Sequence, residues 1–140
     1  MSRIRESLSV QTGYGTLWGQ MTVKDFRRIA LGMEGAVEAS HMNHPDFRVN
    51  GKIFATIHAD NAHGMVKLTP EQQDRFMREH PTIFHPAAGA WGRGGSTMVA
   101  FAHATDDAVG EAMTMAWQNL ARQAKNESSI RRAKAARTRK

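Results

Sequence analysis

From Thr22 onward the apolar positions change period several times, and each change marks an element. Val23, Phe26, Ala30 and Met33 keep the three-to-four residue spacing of one helix face, behind Thr22 and Asp25, which form a carboxylate version of the capping box. Gly32 and Gly35 end that helix. Residues 37–42 read as a short strand. Phe47-Arg48-Val49 and residues 52–58 are β-rich runs separated by Asn50-Gly51, the pair that most strongly signals a two-residue hairpin. Asp60-Asn61 then turns the chain into residues 63–68, so this stretch is an antiparallel meander.

Thr69, Pro70 and Gln72 make a complete helix start: N-cap, proline at the first helical position and a capping-box partner. Phe76 and Met77 mark its inward side, and Glu71 with Arg75 and Asp74 with Arg78 are expected as solvent-side pairs four residues apart. His80-Pro81 stops it. Residues 83–84 read as a short strand, 86–95 as a loop holding Gly89, Gly92, Gly94 and Gly95, and 97–103 as a strand. Thr105, Asp106 and Asp107 open the longest helix, the two acids suiting the positive end of its dipole. Its stripe runs through Val109, Ala112, Met113, Ala116, Trp117, Leu120, Ala121 and Ala124, with Met115 off it, and reads as packing. Strands joined by tight turns, with helices between groups, predict one α+β domain built on an antiparallel sheet of about six strands.

The chain has 140 residues, enough for one core. The absence of Cys excludes disulfides, thiolate metal sites and cysteine nucleophiles. The net charge of +6 suggests a polyanionic partner until it is divided along the chain. Residues 21–124 hold ten basic and eleven acidic side chains, whereas residues 125–140 hold seven basic ones against Glu127. The excess therefore sits in the last segment, expected as a disordered basic tail, and the domain at 21–124 is close to neutral. Residues 1–20 show no periodicity and read as a loose leader, with Tyr14 and Trp18 available to dock. No run approaches a membrane span or a signal-peptide core, so a cytoplasmic protein without a membrane partner is expected.

Chemistry is sparse. Arg48 and Lys52 flank the Asn50-Gly51 turn, either as phosphate contacts or as charges that blunt a strand edge. Trp91-Gly92-Arg93 sets an aromatic and a cation among glycines; such a loop stacks on a base, grips a phosphate, closes over a small ligand, or packs Trp91 on the sheet. Its spacing matches no nucleotide-binding motif. The seven His fall between residues 41 and 103, with His41 and His44 two residues apart in between and His58 and His63 flanking a turn. None has a recognised ligand spacing, and no metal, cofactor or catalytic residue is assigned. In the tail, Arg131, Arg132, Lys134 and Arg137 either solubilise the chain or anchor an anion; its alanines could also let the last helix continue, spreading the cations around it.

The run HPDFRVNGKIFA at residues 44–55, the helix opening at Thr69-Pro70-Glu71, the Trp91-Gly92-Arg93 loop and the closing amphipathic helix together resemble the MmcQ/YjbR-like family of small bacterial proteins, over residues 21–124. The resemblance implies a curved antiparallel sheet flanked by helices, of the kind called CyaY-like or double wing. It also implies a non-enzymatic protein without a cofactor; family members are commonly described as DNA-binding from the shape of the fold. Relatives run from this loop into another Trp, where this chain has Gly94-Gly95-Ser96, so an aromatic at the rim of the expected face is missing. Under this reading Arg48, Lys52, Lys67, Trp91 and Arg93 are the body's nucleic-acid contacts, helped by the tail. The alternative is a protein-interaction or small-ligand module using the Trp91–Arg93 loop.

Overall fold

The computed structural model describes residues 21–138; the expected leader, Arg139 and Lys140 lie outside the described residues. The elements run α1 (Val23–Leu31), β1 (Val37–His41), β2 (His44–Val49), β3 (Lys52–Ile57), β4 (His63–Lys67), α2 (Pro70–Glu79), β5 (Phe84–Pro86), α3 (Gly89–Arg93), β6 (Ser96–Ala100) and α4 (Asp106–Thr138). All six strands pair antiparallel in one sheet of order β1-β2-β3-β4-β6-β5.

Local chemistry explains the element starts. Thr22 Oγ1 accepts the Asp25 N–H at 3.1 Å while the Asp25 carboxylate accepts the Thr22 N–H at 3.0 Å, and Thr69 and Gln72 repeat the exchange at the head of α2. Asn50 and Gly51 both take positive φ, the geometry whose twist matches that of the flanking strands. Met42 and Asn43 do the same between β1 and β2, which lengthens β2 back to His44, beyond the run expected from residue 47.

Register separates the two faces of the sheet, because residues opposite one another share a face. One row, Glu38, Phe47, Ala55, Val66, Thr97 and Pro86, crosses all six strands and faces the helices; its four central members are buried. The adjacent row, Ala39, Asp46, Thr56, Met65, Met98 and His85, crosses the same strands on the opposite, open face. Against the first face pack α1 and α4, and all six phenylalanines lie in the core, none more than 1% exposed. Phe26 of α1 sits edge-on to Phe47 at 6.4 Å and against Phe101 at 5.3 Å, and its ring lies so close to β4 that a Cβ at Gly64 would stand 2.6 Å away.

Four expectations need correction. The strand expected over 97–103 stops at Ala100, and Phe101–His103 form a 3₁₀ turn that tucks Phe101 into the core while its carbonyl accepts the Met21 N–H. The loop expected over 86–95 contains α3. Arg75 does not pair with Glu71 but reaches Glu79 and, across to α4, Glu111; the Asp74–Arg78 pair forms at 3.1 Å as expected. Where a disordered tail was expected from residue 125, α4 continues through Thr138, residues 125–138 holding neither Gly nor Pro. Among the described residues no helix is long and apolar enough to cross a membrane.

Candidate functional site

Arg48 and Lys52, expected to act together at the hairpin tip, point to opposite faces. Across the two-residue turn Val49 pairs with Lys52, so those two share the helix side and Arg48, the residue before Val49, faces the other way; beyond Arg48 the register shifts and leaves Phe54 as an extra, buried residue in β3. Arg48 consequently lies on the open face, where Nε donates to Asp46 Oδ1 at 2.7 Å and Nη2 to Oδ2 at 3.0 Å. His41 adds a third contact, Nδ1 to Oδ2 at 2.7 Å. Asp46 is entirely covered by this arrangement, and the Arg48 guanidinium, helped by His41, holds its carboxyl below the usual carboxylate range against the opposing effect of burial. Lys52, on the helix side, reaches Glu127 of α4 at 3.4 Å.

Lys67 and Trp91 do come together. The Lys67 ammonium stands over the Trp91 ring, 6.0 Å from its centroid, and the ring is 71% exposed. Arg93 is exposed two residues further on. The loop that carries them is fastened from beneath. Gln73, buried on α2, sends its side-chain amide to Gly92 O at 3.0 Å, Ser96 O at 3.1 Å and Thr97 Oγ1 at 3.2 Å. Two glycines permit the close fit: a Cβ at Gly92 would lie 1.8 Å from Ala87 O, and one at Gly95, where φ is +112°, would lie 2.0 Å from Leu68 O. Trp91 is thus a solvent-facing aromatic on a rigid support, and the alternative in which it packs on the sheet is not the one adopted.

These cations share one end of the molecule. Asn119 of α4 bonds both Gln72 and the Lys67 carbonyl, and two turns further along Glu127 meets Lys52 at the β2–β3 turn. Beyond that contact α4 carries Arg131, Arg132 and Lys134; the side chain of Arg137 lies outside the described residues. The other end is acidic. Asp60 sits in the β3–β4 turn, where Ala62 O accepts the Phe101 N–H, and Asp106 and Asp107 open α4 just after the 3₁₀ turn, with Asp106 paired to Arg28.

Four histidines line that acidic end. His41, His44, His58 and His63, from β1 through β4, have successive ring centroids 6.2, 6.5 and 6.4 Å apart. His58 and His63 face each other across the turn, and Asp60 serves both, at 3.5 and 2.8 Å. The Ala62 N–H, with His63 and His58, keeps the Asp60 carboxyl below its usual range. Among the described residues no three His, Asp or Glu side chains are placed to share a metal ion.

Sequence reasoning missed Asp46 and Gln73. Asp46 carried a signal, since Asp46 and Arg48 are two apart in a strand and therefore share a face. Gln73 had none, because its acceptors lie about twenty residues away.

The YjbR family model matches residues 31–119. Among solved structures, the crystal structure of the Deinococcus radiodurans protein DR2400, a DUF419 domain, is similar at 18% sequence identity with a TM-score of 0.58, over 70% of this chain and 77% of that one. No curated protein matches the sequence.

Proposed function

The chain belongs to the YjbR family, and from that premise and the polarised placement of its cations we propose that it is a non-enzymatic DNA-binding module. The supporting observation is the end that gathers Lys52, Lys67, Arg93 and the basic half of α4 around an exposed aromatic on a fastened loop. Cations attract phosphates without regard to sequence, and an exposed indole adds a stacking surface worth about 1–3 kcal/mol per base. Of the residues nominated from sequence, Lys67, Trp91 and Arg93 form the body's part of this surface, while Lys52 stands at the same end paired with Glu127. Arg48 is committed to Asp46 and drops out of it.

The test is a salt series of duplex and single-stranded DNA binding with the full chain, a Trp91→Ala variant and a Lys67→Ala/Arg93→Ala variant. The double variant is expected to weaken binding and flatten the log–log salt slope by about 1.8, two lost phosphate contacts. Undiminished binding by both variants would remove the body from the interface. The exposure of Trp91 favours a second reading, a protein- or small-ligand-binding surface on the same loop; absence of any DNA binding at low salt would leave that one standing.

A further inference from the structure

α4 is far longer than the body it packs on. Its 33 residues span about 50 Å, whereas the six-residue strands beneath it cover about 20 Å. The Lys52–Glu127 pair lies at the β2–β3 turn, where the strands end, and every described side chain from Ser129 to Ala136 is exposed. Residues 125–138 therefore extend the helix about 20 Å along its own axis. At about 100° per residue, taking Lys125 as zero, Arg122 falls near 60°, Lys134 near 180°, Arg131 near 240° and Arg132 near 340°. No gap between these cations exceeds about 120°. Between them stand Asn126, Ser128, Ser129, Ala133, Ala135 and Ala136, together with Glu127, which is held by Lys52, and the exposed Ile130.

A helix that rests on a flat anionic surface needs its cations on one side. A helix charged on all sides fits a trough with negative walls to left and right. The major groove of B-form DNA, about 12 Å wide between two phosphate backbones, is such a trough, while the deep, narrow groove of A-form RNA does not admit a helix. We propose that residues 125–138 of α4 are the element that enters the major groove of duplex DNA, with the Lys67–Trp91–Arg93 loop lying on the backbone beside it. This rests on the DNA-binding reading above. Apart from Asn126, the small side chains of the segment offer little to read base edges with, so the contact is chiefly to phosphates and carries little sequence preference.

Charge-neutral breaking of the helix tests this. Ser129→Pro and Ala133→Pro each keep every cation but interrupt the rod beyond the packed body. Binding of the full chain and both variants to a short DNA duplex, the equivalent RNA duplex and phosphatidylserine vesicles is compared, with the melting temperature confirming that the body stays folded. The expected result is a DNA-over-RNA preference for the full chain and a loss of roughly tenfold or more in DNA affinity for either variant, as when two or three phosphate contacts go. Unchanged DNA affinity in both variants would show that the segment acts as a flexible tether and overturn the inference while leaving DNA binding intact. Equal affinity for RNA duplex or for vesicles would overturn it too. No binding to DNA by the full chain at low salt would remove the underlying reading itself.

Discussion

Arg48 closes a two-pronged salt bridge on Asp46, its neighbour but one along β2, and the pair share the open face of the sheet with His41. A carboxylate with no exposed surface depends on those donors, and Arg48 is therefore expected to serve stability rather than phosphate contact. Arg48→Ala is expected to lower the melting temperature by several degrees and to leave both DNA affinity and its salt slope unchanged. Thermal melts alongside a salt titration check this; a slope reduced by about 0.9 would return Arg48 to the interface.

Acid should loosen the protein through Asp46 and Asp60. Both carboxyls are held below their usual range in the folded state, so each contributes stability that is present above the unfolded value and is lost as pH falls through the folded one. Denaturant unfolding should show stability declining from about pH 5 downward. Asp46→Asn should begin lower at neutral pH and decline less steeply. An acid limb as steep as that of the unaltered chain would assign the effect to other groups.

Three glycines should respond oppositely to the same methyl group. Gly92→Ala and Gly95→Ala place a Cβ within 2.0 Å of a backbone oxygen and are expected to destabilise by about 2 kcal/mol or more. At Gly110, inside α4, nothing lies within 4 Å of the added Cβ. Gly110→Ala is therefore expected to stabilise by about 0.5–1 kcal/mol through its helix preference. Chemical denaturation of the three variants gives the signs directly.

Gln73 holds the Trp91 loop through Gly92 O and Ser96 O, each of which also accepts one backbone N–H, from Gly95 and Ala87 respectively. Gln73→Met keeps the volume but removes the donors, at a cost of about 0.5–1.5 kcal/mol for each hydrogen bond lost, since both carbonyls keep a backbone donor. Amide exchange should quicken across residues 92–97 more than in β2 and β3. If DNA affinity falls in the same variant while Trp91 and Arg93 are intact, rigidity of the loop is itself part of binding.

The element order was legible because its signals are local. Thr22 with Asp25, Thr69 with Gln72, and Asn50-Gly51 each close a structure within four residues, and all three form as read. The core stripe of α4 followed for the same reason, with Met113 buried and Trp117 packed against the core, while Met115, expected off the stripe, packs against the core as well. The candidate site was legible only in part. Lys67, Trp91 and Arg93 do fall together, but Arg48 and Lys52 lie on opposite faces, because the two-residue turn pairs Lys52 with Val49 rather than with Arg48.

The sequence by itself determined the family, the α+β order of elements, and a charge balance that confines the basic excess to residues beyond 124, because these depend on residue types and on contacts a few positions apart. Only the tertiary structure decided which cations are free to meet a ligand. Asp46 is covered once β1 and β2 bring His41 and Arg48 over it, and Arg75 turns to Glu111 once α4 lies beside α2. The packed turns of α4 also supply the nucleus that a short basic segment lacks alone, so residues 125–138 continue as helix at one bond per residue. Such outcomes rest on partners brought together from across the chain, and their identity is a property of the fold.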